Sequence, residues 1–233
     1  MFLIFDVETN DLPDWGIPAD DPRQARIVQL AADLLDSDLN AVRSICQIIR
    51  PDGWEIAEGA QKAHGITLER AMEEGVPIAE VIETFDTMAD ECTTLCAFNI
   101  RFDNKLARGE RRRLGRPDRF GLIREFDVMR AATPICALPP TAAMMKAGRR
   151  YPKTPKLEEA HKIICGFDFE NAHDAMADVA ATVRILRCLR DEHGVDIRGD
   201  FPKGNKSPAE PEKPKAGPSG TAEPVPDDDV RVF

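Results

Sequence analysis

The first ten residues, Met1 to Asn10, read MFLIFDVETN: five apolar side chains, then Asp6 and Glu8 with one residue between them. A continuous apolar run of this length fits a strand buried on both faces. Side chains alternate along a strand, so Asp6 and Glu8 share a face, about 7 Å apart by the strand rise. Two carboxylates at the end of a buried strand repel each other and are costly to desolvate unless a cation lies between them. The stretch has two readings. Either both acids hold a divalent metal, or the strand stops at Phe5 and both acids are solvated, as most Asp and Glu are.

Composition narrows the setting. The chain has 233 residues, 42% hydrophobic and 31% charged, which suits a soluble globular protein with a sizeable core. A net charge of −10 offers no general attraction to phosphate backbones, unless the acids hold cations that invert the local field. No apolar stretch approaches the roughly 20 residues needed to span a bilayer. The N-terminus lacks the basic region of a signal peptide. Six scattered cysteines read as free thiols, and Cys92 and Cys96 lack a second pair for zinc. A cytoplasmic protein with no membrane partner is the expectation.

Outward from the first strand, Asp11 to Gln24 is a Pro/Asp/Gly-rich loop. Strands come next at Ile27–Leu35 and Val42–Ile49, with hairpin chemistry at Asp36–Asn40 between them. In the first of these, Val28, Leu30, Ala32 and Leu34 share a face; in the second, Val42, Cys46 and Ile48 do. The first three strands therefore form an antiparallel meander. Gly59–His64 reads as a short helix closed by Gly65. Ile78, Val81, Ile82, Phe85, Met88 and Ala89 recur at helical spacing. A short strand at Thr93–Phe98 precedes a helix over Arg101–Leu114, whose basic end Arg111–Arg113 reads as solvated. Arg124–Val128 is a further strand, and Pro134–Pro155 an irregular surface segment. Lys146, Arg149, Arg150, Lys153 and Lys156 make the most basic window in the chain. Leu157–Ile164 is helical, and Asn171 or Asp174 caps a last long helix to about Arg190. Strands in a meander, then strands separated by helices, predict an α/β fold with a mixed sheet flanked by helices.

Two further acids stand where the first pair predicts partners. Asp103, after the Thr93–Phe98 strand, shares a helical stripe with Leu106, Ala107 and Leu114. Asp178 shares one with Ala181, Thr182, Ile185 and Leu189. An acid on a buried stripe needs a partner. Four such acids suit Mg²⁺ or Mn²⁺ rather than zinc, and two hard cations form the clamp used for phosphoryl displacement. His173, five residues before Asp178, stands at the mouth of that helix, where a histidine can take a proton from an activated water.

The stretches DVET, NIRFD and HDAMAD, in this order and spacing over residues 1 to about 190, closely resemble the three exonuclease motifs of the DnaQ-like 3′–5′ exonucleases, the DEDDh subgroup with an RNase H-like fold. The resemblance implies a catalytic set of Asp6, Glu8, Asp103, His173 and Asp178. It further implies two divalent cations, Mg²⁺ or Mn²⁺. Asp6 would be shared by both cations, Glu8 and Asp178 would help hold the first, and Asp103 would serve the second. His173 is then the general base, and the products are 5′-mononucleotides. Thr9, Asn10, His64, Gly65, Ile66, Asn99 and Phe102 fall at positions that meet the terminal nucleotide. The implied partner is the 3′ end of nucleic acid, single-stranded, with DNA favoured over RNA.

The chain departs from the family at Asn10-Asp11, where Thr-Gly or Asn-Gly is frequent, and at Phe98, where a His often precedes the Asn. Neither position is a metal ligand; both bear on substrate grip. An RNA-trimming exoribonuclease of the same fold shares the motifs, and a non-catalytic nucleic-acid-binding scaffold is the alternative from another class. Residues 1–200 form the exonuclease domain. Residues 201–233 are a Pro/charged tail with too few apolar residues to fold, whose acidic–aromatic tip Asp227–Phe233 is a candidate docking peptide for a protein partner.

Overall fold

The computed structural model describes residues 1–168 and 174–202. Five strands form one sheet in the order β3-β2-β1-β4-β5: β1 is Phe2–Thr9, β2 Ile27–Leu35, β3 Ala41–Ile48, β4 Thr94–Ala97 and β5 Arg124–Asp127. The expected meander is present. β2 runs antiparallel to β1, from Phe2 opposite Leu35 to Thr9 opposite Ile27, and β3 runs antiparallel to β2. β4 and β5 add in parallel on the other side of β1. The carboxyl ends of β1, β4 and β5 therefore meet at one edge of the sheet, with β1 in the middle.

The apolar run is central for the reason it reads as central. Leu3, Ile4 and Phe5 are at most 1% exposed, because both faces of the sheet are covered. Odd-numbered Leu3, Phe5 and Val7 face a layer made by α3 (Ile78–Glu91) and α4 (Ile100–Arg113). There the Phe5 and Phe85 rings are 5.1 Å apart, and Phe85 meets Phe120 edge-on at 5.8 Å. Even-numbered Ile4 faces a second layer built by α5 (Val128–Cys136), α7 (Leu157–Cys165) and α8 (Ala175–Asp191). A third, smaller cluster joins Val28 and Ile48 to Ile66 and Ala71, beneath α1 (Glu58–His64) and α2 (Leu68–Glu74). Gly65 closes α1 in the left-handed region, at φ 72.

Several local expectations change. β3 offers little core face: Val42 is 56% exposed and Cys46 exposed, because β3 is the edge strand of the sheet. Pro134 does not open an irregular segment but sits inside α5, whose start is fixed by Asp127 accepting from the Arg130 N–H at 3.0 Å. α2, capped by Thr67, occupies a stretch to which the sequence assigns no element, and the short α6 (Ala142–Lys146) lies within the segment expected to be irregular. The Arg111–Arg113 cluster is not simply solvated. Arg111 is buried, ion-paired with Asp86 and stacked over Phe120, and Arg113 pairs with buried Glu110 at 3.1 Å. The helix end turns into acids supplied by α3 and by α4 itself, although burial still holds both guanidiniums below their ordinary range. Residues 195–200 return to the sheet, where Asp200 and Glu125 exchange backbone hydrogen bonds of 2.7 and 3.1 Å. Among the described residues no helix is long and apolar enough to cross a membrane.

Candidate active site

Alternation along β1 decides which way its acids point. Asp6 and Glu8 share the even face with Ile4, toward the layer that contains α8. That helix starts where Asp174 accepts from the Ala177 N–H at 3.1 Å, and its first turn carries Asp178, buried. Carboxylate oxygens of Asp6, Glu8 and Asp178 lie within 4.8 Å of one another. Asp103 comes from the opposite layer. Asn99 takes a left-handed conformation (φ 72), which Asn tolerates better than most residues, and turns the chain from β4 into α4. Asp103 then falls on the buried stripe of the first helical turn and accepts from the Val7 N–H at 3.2 Å. The four acids thus converge on the carboxyl end of β1 from three elements.

The site is strongly anionic. Burial, then the charges of Asp103, Asp178, Glu8 and Asp174, pushes the Asp6 carboxyl well above the usual range. Glu8 is raised to about 7 by burial and by Asp178 and Asp174. Asp103 is raised by burial and, more weakly, by Glu8 and Asp127, against its backbone hydrogen bonds. Every cause at Asp6 and Glu8 acts in the same direction, so the chain assembles negative charge there without offsetting it. An all-oxygen donor set of this kind fits hard divalent cations.

Thr9, Asn10 and the segment leading to His64 are joined at the end of β1. Thr9 is 8% exposed, and its hydroxyl donates to the Asp11 carbonyl at 2.8 Å. Asn10 is a clip: its amide donates to the Glu55 carbonyl at 2.8 Å and its carbonyl oxygen accepts from the Arg26 N–H at 2.7 Å. The Ala57 N–H also reaches the Asn10 carbonyl at 2.9 Å, so the end of β1 holds the segment that leads into α1 and His64-Gly65-Ile66. His64 Nδ1 accepts from the Ile66 N–H at 3.1 Å, and Ile66 is a core residue at 1% exposure. Phe102 packs against the first core layer. His173 lies outside the described residues. Two acids carry electrostatic weight that the sequence reading does not assign them: Asp174, acting on Asp6 and Glu8, and Asp127, acting on Asp103. The signal for Asp174 is its place in HDAMAD; Asp127 has none beyond ending a strand.

A separate cleft of about 1100 Å³ runs along the other face of α4, between Trp15, Arg101 and Lys105 on one wall and Glu125, Asp127 and Phe201 on the other. It does not include Asp6, Glu8 or Asp178. Arg101 lies 4.5 Å from the Trp15 ring centroid, and both cations and acids line the cleft.

Comparison with known proteins agrees with this geometry. The model of the exonuclease (RNase T) family matches residues 3–186. Among solved structures, Escherichia coli Exonuclease I in complex with a dT13 oligonucleotide is similar at 25% identity and a TM-score of 0.67, over 83% of this chain and 41% of that one. Exonuclease I of Methylocaldum szegediense is similar at 26% identity and a TM-score of 0.63, again over 83% and 41%. The chain thus spans about two fifths of the length of these exonucleases. A search of curated proteins finds no match. With a family model covering most of its length, and with the mixed sheet and layered helices described above, the chain belongs to the exonuclease family of DnaQ-like proteins with an RNase H-like fold.

Proposed function

We propose that this protein is a 3′–5′ exonuclease that hydrolyses the terminal phosphodiester of single-stranded nucleic acid, DNA in preference to RNA, releasing 5′-mononucleotides. One observation carries the reading: Asp6, Glu8 and Asp178 present oxygens within 4.8 Å of one another at the carboxyl edge of the sheet, with Asp103 beside them on the Val7 N–H. Asp6, Glu8, Asp103 and Asp178 would hold two Mg²⁺ or Mn²⁺ ions. When bound, such cations supply positive charge against the phosphate and acidify nearby water. His173, placed by sequence at the mouth of α8, accepts the proton of the attacking water. Thr9, Asn10, His64, Gly65, Ile66, Asn99 and Phe102 shape the place of the terminal nucleotide. They do so largely through backbone, since the Thr9 and Asn10 side chains already bond main-chain groups. The dT13 strand on similar E. coli Exonuclease I favours single-stranded DNA. The acidic–aromatic tip Asp227–Phe233 serves as a docking peptide for a protein partner.

The test is nucleotide release from 5′-labelled single-stranded DNA and RNA of matched sequence, in Mg²⁺, in EDTA, and with Asp6→Ala. Activity should require Mg²⁺ and fall at least about a hundredfold in the variant, on the scale of losing one preorganised electrostatic contributor to a transition state. Equal release in all three conditions would overturn the mechanism, and faster RNA cleavage would overturn the DNA preference. His173→Ala should flatten the acid limb of the pH–rate profile; an unchanged profile removes the base assignment and leaves the acids.

A further inference from the structure

The most basic window of the chain has no part in the site so far. No acid occurs between Asp127 and Glu158, yet this stretch carries Lys146, Arg149, Arg150, Lys153 and Lys156 in a protein of net charge −10. Lys153 is committed: its ammonium pairs with Glu159 at 2.6 Å, and its N–H reaches the Leu138 carbonyl at 3.1 Å, which fastens the segment to the end of α5. Lys146, Arg149, Arg150 and Lys156 are exposed and make no ion pair among the described residues. Between them Tyr151, the only tyrosine in the chain, is 57% exposed. The window is held in shape. Gly148 (φ 74) ends α6, the Arg149 N–H closes back on the Met144 carbonyl at 2.9 Å, and Pro152 and Pro155 stiffen the backbone leading into α7.

Helix packing sets the level of this window along α8. Cys165, the last residue of α7, has its sulfur 3.7 Å from that of Cys188. An antiparallel α7 would run past the end of α8 at Asp191 and lose the core they share, so the two packed helices run in the same general direction. Counting back at 1.5 Å per residue, Leu157 lies about 12 Å up α7 and Asp178 about 15 Å up α8. Lys156, where the basic window enters α7, therefore stands level with the first turn of α8 and its acids.

We propose that Lys146, Arg149, Arg150, Tyr151 and Lys156 form a strand-binding lip. The lip holds the backbone of single-stranded nucleic acid a few nucleotides 5′ of the end being processed, with one base stacked on Tyr151. Exposed cations interleaved with an exposed aromatic ring are the chemistry that recognises a single strand without reading its sequence. The lip also resolves an electrostatic problem, since a polyanion must approach a protein that is acidic overall and acidic at its site. The inference rests on the exonuclease reading, but it is tested separately.

The experiment uses the full chain and 5′-fluorescein oligonucleotides, dT and rU, of about 3 and about 16 nucleotides, lengths chosen against known single-strand site sizes. Anisotropy titrations in EDTA report binding without turnover. Arg149→Ala/Arg150→Ala should weaken binding of the long strand and lower the slope of log K against log salt by about 1.4, two single-strand phosphate contacts. Tyr151→Ala should weaken long-strand binding about tenfold. Neither variant should change binding of the short strand or its kcat in Mg²⁺. Long-strand affinity and salt slope equal to wild type would overturn the lip, as would equal losses on both lengths. A wild-type chain that binds with the expected length dependence but releases no nucleotide in Mg²⁺ would overturn the exonuclease reading and leave the lip standing.

Discussion

At the scale of single residues, the site concentrates charge that the fold does not neutralise. Glu8 has an ordinary carboxylate value near 4.5 when unfolded and about 7 in the folded chain, and Asp6 and Asp103 are also raised. A raised carboxyl binds its proton more tightly when folded, so folding is favoured at low pH and loses stability as the pH rises through the folded value. In chelator the melting temperature should therefore be higher at pH 5 than at pH 8, with the loss concentrated between about 4.5 and 7 for Glu8. Mg²⁺ at pH 8 should restore it. A chelated protein with the same melting temperature at both values would contradict the cluster's electrostatics. The same logic makes Asp6→Asn more stable than wild type without metal, by about 1 kcal/mol, while it removes activity, a trade of stability for function. These acids are legible in the sequence because each sits at a fixed position of a periodic element: two alternate positions on a strand, and one inward position on each of two helices. Asp127 is not, and Asp174 shows only as a helix cap, because their effect on the cluster depends on where the starts of α5 and α8 lie relative to β1.

Between elements, the tie that orients the site is buried Glu110 on α4. Its carboxylate accepts from Arg26, just before β2, at 2.7 Å, and pairs with Arg113 at 3.1 Å. Glu110→Ala would leave the cations at that junction without their buried partner, and should cost about 3 kcal/mol. The readout is a lower urea midpoint at unchanged slope, and a midpoint within error of wild type would show that the pair is not needed. That such a pair exists is hidden in the sequence, where Arg111–Arg113 looks like any basic helix end. The long elements are readable: β1 from its apolar run, α3 from its 3.6-residue period, α8 from its cap. The short ones are not. α2 has seven residues and buries only Ala71, too little for a period to show, and Pro134 disguises α5. The β3 strand is legible but its burial is not, since alternation cannot tell an edge strand from a covered one.

For the molecule as a whole, the described fold closes when Asp200 pairs with Glu125 on β5. A chain ending at Pro202 should keep the full-length melting temperature and its turnover on short strands. One ending at Arg198 keeps buried Ile197 but loses that pairing, and should melt a few degrees lower, by about 1 kcal/mol for two backbone hydrogen bonds at a sheet edge. Equal melting of the two truncations would place the end of the folded unit earlier. A second long-range tie, the hydrogen bond from Val7 to Asp103, joins residues 96 apart in sequence. Its polarity matters at the bench. Asn at position 103 still offers an oxygen to the Val7 N–H, whereas Ala or Leu leaves that donor buried and unmet. Asp103→Asn is therefore the substitution with which to make bait: a folded chain, silent in turnover, that can be incubated with a cell extract and recovered with the nucleic-acid ends it selects still attached.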